Sequence, residues 1–225
     1  MDRHALRLSF ELAALTTAAL LVIGIPLAHW LTRTRWRGKV VAEAIVSLPL
    51  VLPPTVLGYY LLVAFGPRSP LGRAWLDLTG HPLAFSFAGL LVASLLYGLP
   101  FAVQPFAASL AAVDRRLVEA SWSLGVSRIA TFFEVTLPLA APGILAGAVL
   151  TFAHTLGEFG VVLMVGGNLP GETRTLSISL FDAVEALDYA SANSTALFLL
   201  AISFAVLLLT YTLRRHSPWQ WTMSS

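Results

Sequence analysis

The residues that could do chemistry are few in this sequence, and none has the spacing of a catalytic or metal site. The 225 residues include no cysteine, which removes disulfides, thiolate nucleophiles and most soft-metal sites. The five histidines lie far apart, at positions 4, 29, 81, 154 and 216. The motifs G-x-x-x-x-G-K-[ST], H-E-x-x-H and G-x-S-x-G do not occur. The sequence therefore predicts no catalytic residue, no bound metal and no cofactor on this chain, and it disfavours a membrane-embedded enzyme.

The stretch Glu119–Pro138, EASWSLGVSRIATFFEVTLP, is built for recognition rather than catalysis, because it mixes charge, glycine and apolar residues at helical spacing. Asp114 is expected to cap a short helix, and Gly125 to end it in a left-handed conformation. Ser127 is expected to cap a second helix, and Pro138 to close the unit. Such a helix–glycine–helix loop suits docking into a groove on a soluble partner, or it lies as a connection in the lipid interface.

The order of residues in this stretch resembles the EAA loop of bacterial ABC importer permeases. The positions that carry the resemblance are Glu119, Ala120, Ser121, Gly125, Val135, Leu137 and Pro138. Ser121 stands where the family usually has a second alanine, and Val135 where it usually has isoleucine. The resemblance implies that residues 114–137 form a cytoplasmic coupling loop that sits in a cleft on an ATP-hydrolysing subunit.

The composition independently predicts an integral membrane protein, with 57% hydrophobic residues, 12% charged residues and a mean hydropathy of +0.78. About 20 apolar residues in a helix span the hydrocarbon. The chain offers five such runs, which predict an all-α bundle in a single membrane domain over 1–225, with the first run as an uncleaved span. The runs are Leu12–Trp30, Ala44–Phe65, Leu83–Val113, Leu137–Val165 and Tyr189–Leu213.

The distribution of cations predicts an extracytoplasmic N-terminus and a cytoplasmic C-terminus. Nine cations fall on the predicted inner side: Arg33, Arg35, Arg37, Lys39, Arg115, Arg116, Arg128, Arg214 and Arg215. Five fall outside: Arg3, Arg7, Arg68, Arg73 and Arg174. This orientation puts the EAA-like loop in the cytoplasm. Because the basic residues are explained by topology, they predict no nucleic-acid partner.

The second predicted span contains residues that disturb a helix. Pro49, Pro53 and Pro54 fall within six positions of this span, so its helix must bend or break. Freed carbonyls at membrane depth are tolerated against protein or a watery cavity. A broken helix that lines a path and a kink that only shapes packing both remain open.

The fourth span carries the one acidic residue of the predicted spans, Glu158, between Gly157 and Gly160. An ionisable group in a span faces protein or water. A proton relay is one role for it. We expect instead that Glu158 hydrogen-bonds across helices or braces a subunit interface, where the two glycines allow close approach. The lone His154 is likewise expected to hydrogen-bond between helices.

The predicted outer loop begins with residues that are typical of turns. It continues into an amphipathic segment, Leu176–Leu187, which we expect to lie on the outer surface. Glu172 and Arg174 are its candidate docking residues. Arg174 is either a solvent-screened charge or a cation that receives a binding protein or an oxyanion.

Across nearly its whole length the chain resembles the molybdate-type permeases, which are related to sulfate permeases. The segments concerned are Leu48–Val56, Gly157–Gly160 and Leu169–Leu176, and the order P-G-E-T-R-T at Pro170–Thr175 leans toward molybdate. Tungstate, sulfate and molybdate importers share this type. The resemblance implies a homodimer in the bacterial inner membrane, two ATPase subunits that bind ATP and Mg, and an extracytoplasmic oxyanion-binding protein. A secondary transporter or channel is the alternative from another class.

Overall fold

The computed structural model describes residues 2–215, and this range is helical without a β-strand. It contains eleven α-helices and one π-helical turn. In chain order they are α1 (Arg3–Arg33), α2 (Lys39–Val51), α3 (Pro54–Phe65), α4 (Pro70–Thr79), α5 (Phe87–Ala111), α6 (Arg115–Ser123), α7 (Arg128–Thr131), the π turn (Phe132–Thr136), α8 (Leu137–Gly157), α9 (Gly160–Gly166), α10 (Leu176–Glu185) and α11 (Tyr189–Arg215). The C-terminal residues 216–225, for which the charge pattern predicts a cytoplasmic location, lie outside the described residues.

Four helical stretches within residues 2–215 are long and apolar enough to cross a membrane: α1, α5, the stretch Arg128–Gly157, and α11. A fifth span is formed if α2 and α3 are taken together, and these two helices meet at an angle of 109°. The prediction of an all-α bundle with about five spans is confirmed. The predicted bend of the second span is confirmed too, and it falls at Leu52–Pro53.

Helix α5 lies at the centre of the bundle and packs against α1, α2, α8 and α9. Its Phe106 is completely buried in a cluster with Leu20 of α1 and Ile144 of α8. A Cβ on Gly147 of α8 would come within 2.9 Å of the Phe106 ring. Glycine at this position therefore lets α5 and α8 approach closely. Small residues are common where membrane helices pack, because lipid supplies no hydrophobic drive and association depends on close contact.

The expected boundary at Pro138 is wrong. Proline is tolerated in the first turn of a helix, because the amide it lacks has no partner there. Pro138 occupies the first turn of α8, and the chain remains helical from Arg128 to Gly157. The second helix of the predicted loop is thus joined to the fourth span.

The expected surface position of the segment Leu176–Leu187 is also only partly right. Its helix, α10, has a completely buried first turn, where Ile178 packs with Leu12, Leu90 and Val162 of three other helices. The Leu176 amide donates to the Ser9 hydroxyl of α1 at 2.8 Å. The amphipathic pattern indicated one apolar side but not that this side enters the core.

Candidate coupling loop and transport path

The loop between α5 and α8 has the caps that its sequence predicts. The Asp114 carboxylate accepts from the Arg116 amide at 2.8 Å at the start of α6. Gly125 has φ +84°, and its amide donates to the Trp122 carbonyl at 2.9 Å. The Ser127 hydroxyl accepts from the first turn of α7 at 3.2 Å. These caps fix where both short helices begin and end.

The two helices of the loop are held together by a buried hydrogen bond. The hydroxyls of Ser121 on α6 and Thr131 on α7 lie 2.9 Å apart, and both side chains are shielded from solvent. A buried polar pair of this kind stabilises one arrangement, because each unpaired hydroxyl would cost free energy. Ser121 thus forms a hydrogen bond that the alanine usual at this position could not form. No pattern in the sequence predicted Thr131 as its partner.

The other positions of the motif are placed around this pair. Glu119 is exposed and accepts from Arg115 Nε at 2.8 Å, one helical turn away. Ala120 is exposed beside it, Val135 and Leu137 are partly buried, and Pro138 is exposed. Glu119 is available to an external partner, since a surface pair of this kind is weak.

The loop connects to the fourth span through a π-helical turn, Phe132–Thr136. Such turns are rare and recur at functional sites. The Phe132 ring lies edge-on to His29 of α1, with ring centroids 4.6 Å apart. No loop interrupts the helix between Arg128 and Gly157.

An apolar surface is exposed on the outside of the loop. Leu124, next to Gly125, is 84% exposed, and Ile129 and Phe133 are also largely exposed. By contrast, Val118 of α6 is buried against the rest of the chain. In a membrane protein such a patch contacts either a partner protein or the lipid interface.

The two broken spans meet at their breaks. Helix α2, which contains Pro49, ends before Pro53, and α3 begins at Pro54. Helix α8 ends at Gly157, and α9 begins at Gly160. A Cβ on Gly160 would lie 2.7 Å from the Pro54 side chain, so glycine is required for this approach.

The same contact continues one turn further along the two helices. A Cβ on Gly58 of α3 would lie 2.7 Å from Cβ of Met164 on α9. Gly157 differs from Gly160, since it is exposed and a Cβ added to it would have no neighbour within 4 Å. Of the two glycines expected to allow close approach, only Gly160 does so within this chain.

Glu158 lies at the second break and is 6% exposed. Neither of its carboxylate oxygens forms a hydrogen bond within the described residues. Ser94 of α5 is its polar neighbour, and the Ser94 hydroxyl also forms no hydrogen bond within the described residues. The interhelical role expected for Glu158 stays a prediction, with Ser94 as the nearest polar group on another helix.

His154, one turn before Glu158, does not hydrogen-bond through its buried Nε2 either. Its ring instead stacks on Phe101 of α5, with centroids 3.6 Å apart and planes 20° apart. Both residues line a cavity of about 520 Å³ between α5, α8 and α11. Aromatic stacking rather than hydrogen bonding therefore holds this histidine.

The outer loop is built around Arg174. Its Nε donates to Asn168 Oδ1 at 2.6 Å and lies 3.5 Å from a carboxylate oxygen of Asp182 on α10. The Asn168 amide group in turn donates to Asp182 at 2.7 Å. Glu172 is exposed in the same loop. The sequence singled out the cation but missed Asn168 and Asp182, which hold it, because their contacts with Arg174 depend on how the loop folds onto α10.

The described residues contain no group of three or more His, Asp or Glu side chains that could hold a metal ion.

Comparison with known proteins agrees with these features. The family model described as "Binding-protein-dependent transport system inner membrane component" matches residues 21–217. The chain belongs to this family. It is a multi-pass inner-membrane permease of the ABC importer type, and the exposed loop and broken spans are parts of that permease.

Individual relatives are similar over most of the permease. It is 52% identical over 214 residues to the Molybdenum transport system permease protein ModB of Azotobacter vinelandii, with 95% of each chain covered. It is 39% identical over 182 residues to the protein of that name from Escherichia coli (strain K12), covering 81% of this chain and 80% of the other. Relatives named for sulfate transport are 33–34% identical.

Among solved structures, the permease resembles a chain of a bacterial alginate ABC transporter in complex with an alginate pentasaccharide-bound periplasmic protein. The TM-score is 0.75 at 17% identity, with 96% of this chain and 79% of the other covered. Identity at this level supports the shared fold alone.

Proposed function

We propose that this permease forms the transport path of an ATP-driven importer for molybdate. In this proposal it acts as a homodimer with two cytoplasmic ATPase subunits, which hold ATP and Mg, and receives its substrate from an extracytoplasmic oxyanion-binding protein. The whole chain, 1–225, acts as one membrane domain, and residues 114–137 are its coupling loop.

The observation that carries the proposal is the helical continuity between the exposed loop and the fourth span. A chain without a nucleotide site of its own must take its energy from a partner. The loop presents exposed Leu124, Ile129 and Glu119 to that partner, while its opposite side packs against the spans. Closure of the partner around ATP would move α7, and α8 would move with it toward Glu158.

The paired breaks are the proposed wall of the path. Pro49, Pro53 and Pro54 interrupt one span, and Gly157 and Glu158 interrupt another. Pro53 and Gly157 are exposed on the single chain, as a surface that faces a second copy would be. Five spans are few for enclosing a path whose walls move, whereas two copies around a two-fold axis supply ten.

The outer loop is the proposed contact for the binding protein, with exposed Glu172 at its edge. Arg174 supports this contact indirectly, because its interactions with Asn168 and Asp182 hold the loop against α10. The proposed orientation, with the N-terminus outside, follows from the cation distribution.

The choice of substrate rests on the relatives, since the more similar ones are named for molybdenum transport and the less similar for sulfate. Tungstate is a tetrahedral dianion of nearly the same shape as molybdate, and it is the expected competitor.

The test is uptake by vesicles that contain the permease and its ATPase, with loaded binding protein outside and ATP inside. Labelled molybdate should enter only with hydrolysable ATP, and tungstate should compete more strongly than sulfate. Uptake driven by an ion gradient without ATP would favour a secondary transporter. ATP-dependent uptake of sulfate that excludes molybdate would make it a sulfate permease.

A further inference from the structure

A small cavity lies between the Arg33 end of α1 and the inner side of the coupling loop. Its volume is about 160 Å³, room for roughly five water molecules at about 30 Å³ each. The residues that bear on its chemistry are His29, Arg33, Trp122, Arg128 and Phe132. The transport path does not use this cavity, which lies at the other end of α8 from Glu158.

Two arginines without an acidic partner in the described part of the chain lie at the mouth of the cavity, where both are exposed. Neither Arg33 nor Arg128 forms an ion pair or a hydrogen bond to an acidic group within residues 2–215, and Arg128 lies 5.5 Å from the Trp122 ring centre. The neighbouring cations Lys39 and Arg115 are both paired with glutamates. The Nδ1 atom of His29, also on the cavity wall, is buried and has no partner in the described chain.

The residues around the Arg33 end of α1 suit a position at the level of the lipid headgroups. The exposed rings of Trp30 and Trp36 flank Arg33, with centroids 6.3 Å apart. Tryptophan concentrates at the membrane–water interface because its ring is apolar and its N–H is polar. Val22 and Ile23, two turns or more before Arg33 on α1, are exposed in a way that suits contact with acyl chains.

The cavity is on the opposite side of the loop from the surface proposed for the ATPase. Its wall includes Val118 and Thr131, which are buried against the spans, whereas Leu124 and Ile129 are exposed on the outside. An anion in the cavity would therefore reach it from the bilayer rather than from the ATPase.

We propose that this cavity binds the phosphate group of an anionic phospholipid. Guanidinium groups suit phosphate because their planar donors form paired hydrogen bonds. Basic pockets beside membrane helices on the cytoplasmic side are typical headgroup sites. A lipid bound there would bridge α1 and the coupling loop, so that loop position depends on the lipid.

The test uses the permease–ATPase complex purified from membranes and exchanged into detergent, with retained phosphatidylglycerol counted by native mass spectrometry. The variant Arg33→Gln/Arg128→Gln should bind this lipid about tenfold to thirtyfold more weakly, the effect of two cations near an anionic lipid. The matched control Arg35→Gln/Arg37→Gln removes the same charge from exposed positions outside the cavity and should retain the lipid. Equal retention by both double variants would overturn the proposal.

Further arms identify the source of the anion. Molybdate or inorganic phosphate at millimolar concentration should not displace the lipid, and displacement would assign the cavity to a soluble oxyanion instead. If the free permease retained the lipid but the complex lost it, the two arginines would contact the ATPase in the complex rather than a lipid. Arg33→Gln and Arg128→Gln, each expected to weaken binding about fivefold, carry the test if the double variant does not assemble.

Discussion

Gly125 offers the sharpest perturbation of the coupling loop. Its φ of +84° ends α6 in a conformation that a residue with a Cβ adopts at a cost of about 1–2 kcal/mol. A Cβ added at this position would have no neighbour within 4 Å, so the cost is backbone strain and not a clash within the chain. Gly125→Val should therefore shift the equilibrium between the docking conformation and other loop conformations away from docking by a factor of about 5–30.

The assay is the affinity of the purified ATPase for the reconstituted permease, together with ATP-driven uptake. Gly80→Val is the matched control, because Gly80 also ends a helix with φ +75° and open space, but it lies in the loop on the other side of the second span. Gly125→Asn should lie between wild type and valine, since asparagine tolerates this conformation better. Equal ATPase affinity for Gly125→Val and Gly80→Val would refute the argument.

Three further predictions concern the path and the outer loop. Glu158→Leu should leave thermal stability unchanged or higher, because the buried carboxylate forms no hydrogen bond within residues 2–215, and Glu158→Gln should retain most uptake; a large loss of stability in the leucine variant would indicate a partner in the second copy. Gly160→Ala should destabilise the permease by about 1–3 kcal/mol in thermal unfolding, and unchanged stability would contradict the contact between the breaks. Arg174→Ala and Asp182→Asn should both raise the concentration of binding protein that half-maximally stimulates ATP hydrolysis; an effect of Arg174→Ala alone would indicate direct contact.

Local chemistry in the sequence was enough to predict the helix caps between Asp114 and Ser127, but not how the loop ends at Pro138. Asp114 and Ser127 cap helices, and Gly125 has a positive φ, because each of these effects depends on a few neighbouring residues. The bend at Pro53 and Pro54 was predictable for the same reason.

Features that depend on distant parts of the chain were not predictable. The continuity through Pro138 depends on a π turn, and the pairing of Pro54 with Gly160 depends on how two spans pack. The burial of Ile178 follows from the arrangement of three other helices. An amphipathic pattern gives the apolar side of a helix but not the element that covers it.

Docking of residues 114–137 on the ATPase in the cytoplasm can be tested directly by crosslinking. Because the protein has no cysteine, Leu124→Cys supplies a single thiol at a position that is 84% exposed. A maleimide–benzophenone reagent on this thiol should photo-crosslink to the ATPase. The same reagent on Leu78→Cys of α4, at a position 82% exposed, should not. Absence of the Leu124 crosslink in an active complex, or labelling of Leu124→Cys by an impermeant thiol reagent from outside intact cells, would contradict the account.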